Sequence, residues 1–239
     1  VAKVVIETAR TAPAAEVLSA AAPARSEATA PGSEAAASAK PRPVLDDRFT
    51  SARFCVAASN RVALNAAKAL AQPGPPRFSP LFLHSATGNG KSHLMHAIGH
   101  AYLAAVPGAG VICMSAERFM FEFVAAMRAK DTHAFKTRLR SVDLLLIDDL
   151  QFIAGKDATQ EEFFHTVNEI VAAGKRIVIS ADRCPQALDG VEPRIVSRLA
   201  GGLVADIKAP EPALRSAVLA QRLAEHPDTH VPADVLEML

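Results

Sequence analysis

The sequence predicts a three-layer α/β/α fold around a parallel, five-stranded sheet. Three observations lead there. Short aliphatic runs alternate with segments of helical spacing from residue 81 to residue 223. The run Leu144-Leu145-Leu146-Ile147 is apolar without alternation, as a strand buried on both faces must be. The two segments richest in chemistry, 85–92 and 148–149, each follow directly on such a strand, where open α/β sheets place their ligands.

Residues 1–10 alternate weakly and fit a lone strand left over from an upstream unit, or equally a disordered end. Residues 11–43 are rich in Ala, Pro, Ser and Glu and nearly devoid of large apolar side chains. Burial there cannot offset chain entropy, so this stretch is expected to be a flexible linker. At Val44 the composition changes, and 44–210 is expected to be an ordered domain, with 211–239 beginning a further helical piece. A first helix is expected near residues 61–70, with Val62, Ala66 and Leu70 on its inner face and Ser59 or Asn60 as its cap.

The strand Leu81-Phe82-Leu83-His84 leads into a small loop, Ser85 to Gly90, then Lys91-Ser92, then a helix with Leu94, Ile98, Ala101 and Ala105 on one face. This is the layout of a phosphate-binding loop. Gly88 and Gly90 let the backbone curl so that its N–H groups point at phosphate oxygens, and the helix N-terminus adds positive potential at the same spot. Lys91 is placed to reach the β- and γ-phosphates and the Ser92 hydroxyl to ligate Mg²⁺. Ser85 stands where the G-x-x-x-x-G-K-[ST] pattern has its first Gly, which a Ser can satisfy only with a negative φ.

A strand at 111–114 and a helix at 117–128 follow, with Phe119, Phe123, Val124 and Met127 as the packing stripe. Lys136, Arg138 and Arg140 sit at alternate positions of a polar run that reads as a solvated face. The strand at 142–149 ends in Asp148 and Asp149. Two carboxylates closing a buried strand are costly unless they serve a cation or a water. With Lys91 and Ser92 they make a paired Walker A and Walker B arrangement. A helix at 159–173 ends before Gly174. The strand at 177–180 runs into Ser180 and Asp182, placed to sense a γ-phosphate or orient a water. Arg194 and Arg198 lie four apart on one helical face, and 204–207 is the fifth strand.

The chain has 26 Lys and Arg against 25 Asp and Glu, so no global basic field points to nucleic acid, and any such contact must be local. Cys55, Cys113 and Cys184 form no C-x-x-C and read as small buried hydrophobes in a reducing compartment. No apolar run reaches membrane-spanning length and the first residues hold no signal core, so a cytoplasmic location is expected. The chain starts with Val and stops inside an apolar-periodic segment, which reads as a piece of a longer protein.

The run 141–170, SVDLLLIDDLQFIAGKDATQEEFFHTVNEI, resembles the Walker B region of the DnaA family of bacterial chromosomal replication initiators. So do LDDRFT at 45–50, ASN at 58–60, SAERF at 115–119, SADR at 180–183 and GVEPRIVSRL at 190–199, a likeness covering about 44–223. The resemblance implies an AAA+ P-loop NTPase that binds ATP or ADP with Mg²⁺ and uses slow hydrolysis as a switch. It implies that Asn60 with the segment before it, Thr87, Gly88, Asn89, Gly90, Lys91, Ser92 and His93 border the nucleotide, that Ser92 and Asp148 hold the metal, and that Asp149 polarises the attacking water. Asp182 would be the sensor 1 residue, Arg198 the finger reaching a neighbouring protomer's ATP, and Arg194 an interface neighbour. It further implies a helical filament of like protomers on origin DNA. Single strands would meet the 119–127 helix and the Lys136, Arg138, Arg140 region. The replicative helicase and regulators would bind through an N-terminal domain the chain does not contain, and no membrane span is implied. Ala57 departs from the Gly usual in the family before Ser-Asn. Two alternatives stay open: a regulatory relative without a DNA-reading domain that promotes hydrolysis on the initiator, and a non-catalytic assembly module.

Overall fold

The computed structural model describes residues 44–226 together with 228, 231 and 235. The expectations for residues 1–43, a terminal strand and a linker, lie outside the described residues. Five parallel strands form one sheet: β1 (Leu81–His84), β2 (Val111–Ser115), β3 (Leu144–Asp148), β4 (Arg176–Ala181) and β5 (Leu203–Asp206), in spatial order β2-β3-β4-β1-β5. Among the described residues there are seven α-helices: α1 (Arg61–Leu70), α2 (Lys91–Ala105), α3 (Ala116–Arg128), α4 (Thr132–Ser141), α5 (Asp157–Ala172), α6 (Pro193–Ala200) and α7 (Pro212–Ala224).

The strands divide their side chains between two cores. Leu144 and Leu146, with Leu81, Leu83 and Val178, pack against α1 and α2. Leu145 and Ile147, with Phe82, Ile177 and Ile179, pack against α3, α5 and α6. Leu144 to Ile147 are all fully buried, so the unbroken aliphatic run is a central strand feeding both layers. At roughly 1.5–3 kcal/mol per large side chain, these strands are the main source of stability.

Local chemistry sets the ends of the helices. Ser115 caps α3 by accepting from the Arg118 N–H at 3.1 Å. Pro193 and Pro212 open α6 and α7 in their first turns. Gly174, at φ +67°, ends α5, and the following N–H groups bond back to the last turn.

Several expected helix faces are rotated. α1 buries Ala63, Leu64, Ala66, Ala67 and Leu70, whereas Val62 is 65% exposed. α2 buries Leu94, Met95, Ile98 and Tyr102, while Ala105 faces solvent. On α3, Phe119 and Phe123 are buried but Met127 is exposed. Asn60 precedes α1 without capping it. Its Oδ1 accepts from the Ala57 N–H at 2.9 Å and its Nδ2 donates to Cys55 O at 2.9 Å, tightening the loop before the helix. Among the described residues no helix is long and apolar enough to cross a membrane.

Candidate nucleotide site

The parallel sheet brings the C-terminal tips of β1, β3 and β4 together beside the start of α2. The loop after β1 turns through Gly88 (φ +87°) and Gly90 (φ +95°), conformations that a side chain resists. Ser85 is absent from the positive-φ residues, so it meets the requirement that the missing Gly had raised; Ala57 is absent too. Ser85 takes its own place in the sheet edge, donating its N–H to Ala181 O at 3.3 Å.

Lys91 is buried at the first position of α2. Its Nζ donates to Ser85 O at 2.8 Å and to Ala86 O at 3.3 Å, closing the loop on itself. Next to it, Ser92 Oγ donates to Asp148 Oδ2 at 2.6 Å. Asp148 Oδ1 accepts from Ser180 Oγ, and Ser180 Oγ in turn accepts from the Asp149 N–H at 3.0 Å. A single polar lattice therefore joins the α2 N-terminus with the tips of β3 and β4, and the two motifs separated in sequence meet there. Asp149 adopts φ 58°, ψ 59°, a left-handed conformation that costs a non-glycine residue on the order of 1–3 kcal/mol and recurs at functional sites.

A cavity of about 810 Å³ opens over this lattice. Thr87, Gly88, Asn89, Gly90, Lys91, Ser92 and His93 line it, as do Asn60 and Asp149. Asp148 lies behind Ser92 instead of on the wall. The far side is apolar, with Phe49, Phe54, Leu214, Val218 and Leu219, and is closed by α7. Side chains tie α7 to the segment before α1: Cys55 Sγ meets Gln221 Oε1 at 2.7 Å, Ser59 N and Oγ each meet Glu211 at 3.2 Å, and Arg53 pairs with Glu225. The cavity's charged lining is four cations, Arg53, Lys91, Arg215 and Arg222, against one carboxylate, Asp149. A compartment of this size with an apolar end, a cationic wall and a curled N–H-rich loop fits a nucleoside polyphosphate.

His93 is under Phe49, ring centroids 5.1 Å apart, with Phe54 edge-on at 5.2 Å, and its Nε2 meets Thr50 O at 2.9 Å. Burial holds its pKa below the ordinary imidazole value against that hydrogen bond. His93 thus builds the wall as well as lining it. Asp182 hydrogen-bonds Arg183 through both carboxylate oxygens, which lowers its pKa, and the Lys91 charge adds to the effect. The metal expectation passes a chemical test. A hydroxyl and a carboxylate, both oxygen donors, converge at 2.6 Å beside the phosphate loop. Such a sparse oxygen pair, completed by phosphate and water, is what Mg²⁺ takes. No denser cluster of three or more His, Cys, Asp or Glu exists among the described residues.

Arg194 and Arg198 are on α6, away from the cavity lining. Arg194 pairs with Glu192 and stacks over Phe164 at 5.0 Å. Arg198 has a buried Nε with no hydrogen-bond partner. Lys136, Arg138 and Arg140 remain partly solvated, as the run predicts, but all three are also paired with carboxylates. Lys136 reaches Glu162 at 2.6 Å, Arg138 pairs with Glu122, and Arg140 spans Glu162 at 3.4 Å and Glu169 at 2.8 Å. α4 turns these cations toward carboxylates on α3 and α5, and Glu162 among them is buried.

Sequence reasoning missed Gln151, Arg215 and Arg222; the segment expected to border the nucleotide before Asn60 contributes Arg53 and the Phe49–Phe54 wall. Only Gln151 carried a signal, its place two residues beyond the acidic pair.

Known proteins resemble this chain in sequence and in fold. A DnaA from Sphingopyxis alaskensis is 56% identical over 195 residues, which are 82% of this chain and 43% of that protein. The chain thus spans less than half the length of this curated relative. Domain III of the Thermotoga maritima initiator DnaA superposes with a TM-score of 0.76 at 37% identity, covering 81% of this chain and 80% of that one. A replication initiator DnaA bound to AMPPCP and single-stranded DNA superposes with a TM-score of 0.70 at 33% identity, covering 82% of this chain and 60% of that one. Residues 45–206 match the family model of the bacterial DnaA ATPase domain, and the chain belongs to that family.

Proposed function

We propose that this chain is the ATP-binding and ATP-hydrolysing part of an initiator of chromosomal replication, working in the cytoplasm. The carrying observation is the lattice joining Ser92, Asp148 and Ser180, with Lys91 closing the loop beside it, beneath a cation-lined cavity. The adenosine occupies the apolar end between Phe49–Phe54 and α7, and the triphosphate takes the loop. Lys91 then exchanges its contacts with Ser85 O and Ala86 O for phosphate oxygens, and Ser92 and Asp148 hold Mg²⁺. The metal, when bound, neutralises charge developing on the transferred phosphoryl group. Asp149 orients and polarises the attacking water, and Asp182 sits on the strand tip nearest the terminal phosphate. α7 begins the lid over this site.

Slow hydrolysis resets a switch instead of driving work. In the ATP state Arg198 of one protomer contacts the γ-phosphate of the next, with Arg194 beside it, and protomers stack as a filament. The unpartnered Arg198 Nε supports this, since a buried unpaired donor costs about 1–3 kcal/mol that an incoming anion relieves. The related initiator solved with single-stranded DNA supports strand contact, and this reading assigns that contact to the α3–α4 side. Lys136, Arg138 and Arg140 contribute there only by exchanging carboxylate partners for phosphates. Helicase and regulator contacts belong to other parts of the whole protein.

The test is a titration with a fluorescent ATP analogue and Mg²⁺. The parent chain binds, and Lys91→Ala weakens binding by about a hundredfold, roughly the loss of one or two charge-assisted hydrogen bonds. A parent chain that binds no nucleotide turns the reading toward a non-catalytic assembly module.

A further inference from the structure

Gln151 is two residues beyond Asp149, and its side chain lines the cavity. Its backbone belongs to the 3-10 turn Leu150–Ile153, whose terminal residues Leu150 and Ile153 are fully buried. Packing anchors the turn, so the side chain at 151 projects from a fixed base. The amide makes two hydrogen bonds. Asp182 donates its backbone N–H to Gln151 Oε1 at 3.3 Å, and Gln151 Nε2 donates to Asp149 Oδ1 at 3.0 Å. Donor chemistry fixes this orientation. A backbone N–H can only donate, so it must meet the carbonyl oxygen, and the NH₂ group then faces the carboxylate, which when ionised can only accept. An end-over-end flip would set donor against donor and acceptor against acceptor.

We infer that Gln151 is a positioning residue for hydrolysis: it fixes the Asp149 carboxylate through one oxygen and ties it to the tip of β4. The inference rests on the ATPase reading above. Among the described residues Asp149 Oδ2 receives no hydrogen bond from protein, so the second oxygen is free for the attacking water. The backbone of Asp149 is already committed, with φ at 58° and its N–H bonded to Ser180 Oγ. The Gln151 amide is therefore the remaining restraint on where the carboxylate points. The same amide links β3 to β4 at a point where a shift of the Asp182 backbone moves the carboxylate with it.

Two substitutions separate the bonds. Gln151→Met keeps the side chain's size and removes both. Gln151→Glu keeps an acceptor for the Asp182 N–H and replaces the donor facing Asp149 with an oxygen. Each lowers the single-turnover rate of ATP hydrolysis by about ten- to a hundredfold, the scale of a misplaced catalytic group. ATP affinity stays within about threefold and the melting temperature stays near that of the parent. A second readout needs no nucleotide. The Gln151 side-chain NH₂ resonance, assigned by its loss in Gln151→Met, shifts in Asp149→Asn because its charged acceptor is gone. Unchanged hydrolysis in Gln151→Glu, or an NH₂ resonance indifferent to Asp149→Asn, overturns the inference. Weakened binding at an unchanged rate overturns it too, by making Gln151 a binding residue. A parent chain that binds ATP but never hydrolyses it overturns the ATPase reading itself, and the positioning role falls with it.

Discussion

Lys91 and Arg176 are buried cations at opposite ends of the same sheet, 7% and 5% exposed, and backbone carbonyl oxygens hold both. They differ in what is left over. Arg176, at the start of β4, donates to Leu70 O at 2.8 Å, Gln72 O at 2.7 Å, Gly74 O and Tyr102 Oη at 3.1 Å, and stacks over the Tyr102 ring at 4.5 Å. Three of its hydrogen bonds go to the end of α1 and the chain just after it, and it does not line the cavity over the phosphate loop. Lys91 uses two carbonyls of its own loop and borders the 810 Å³ cavity. Burial of a charge does not by itself mark a site. A site needs acceptors that can be exchanged and room for what replaces them.

The comparison breaks most visibly at Arg176. Arg176→Met leaves three backbone carbonyls without their donor and lowers unfolding stability by about 1–3 kcal/mol, the cost of an unsatisfied buried acceptor. Denaturant titration checks it, and the molecules that remain folded keep their ATP affinity. Lys91→Ala does the reverse, costing affinity and little stability. Next in size is Arg198→Ala, which leaves the affinity of isolated protomers within about threefold. Light scattering with and without ATP shows whether nucleotide-dependent assembly is lost, as the trans contact requires.

A smaller effect is expected at Ser85. Its backbone needs no positive φ, so Ser85→Gly adds chain entropy and removes the Oγ hydrogen bond to Ala86 O at 3.0 Å, lowering stability by about 1–2 kcal/mol, with ATP affinity within about threefold. Smallest is a pH effect. Burial depresses the pKa of His93 and His96 in the fold. His96 Nδ1 accepts from the Asp46 N–H at 3.0 Å, so the ring is neutral there. Unfolded, each imidazole titrates near about 6.5. Their contribution is therefore complete above that value and is lost as pH falls through it toward the lower folded-state value. Melting temperature should drop between pH 7 and 5, and drop less in His96→Gln.

The strands and the phosphate loop were legible because their signals are local. An unbroken aliphatic run admits one place in a parallel sheet, and Gly-Lys-Ser after a strand admits few others. The acidic pair was legible for the same reason. What escaped depends on distant partners. Val62, Ala66 and Leu70 form a valid stripe, yet Ala-rich α1 offers an adjacent one through Ala63 and Leu64, and the sheet takes that one. Lys136 and Arg140 looked unpaired because their carboxylates are more than twenty residues away on α5. Arg176 precedes its apolar run and reads as a strand flank, since the carbonyls it serves are over a hundred residues earlier in the chain. Asn60 fits a cap by residue type and is used instead to tie the preceding loop.

The most direct measurement is a crystal structure of the chain with AMPPCP and Mg²⁺. The account predicts that the Lys91 ammonium leaves Ser85 O and Ala86 O for the β- and γ-phosphates, while the metal lies against Ser92 Oγ on the Asp148 side. A nucleotide bound elsewhere, or a Lys91 still bonded to both loop carbonyls beneath a bound triphosphate, would contradict it.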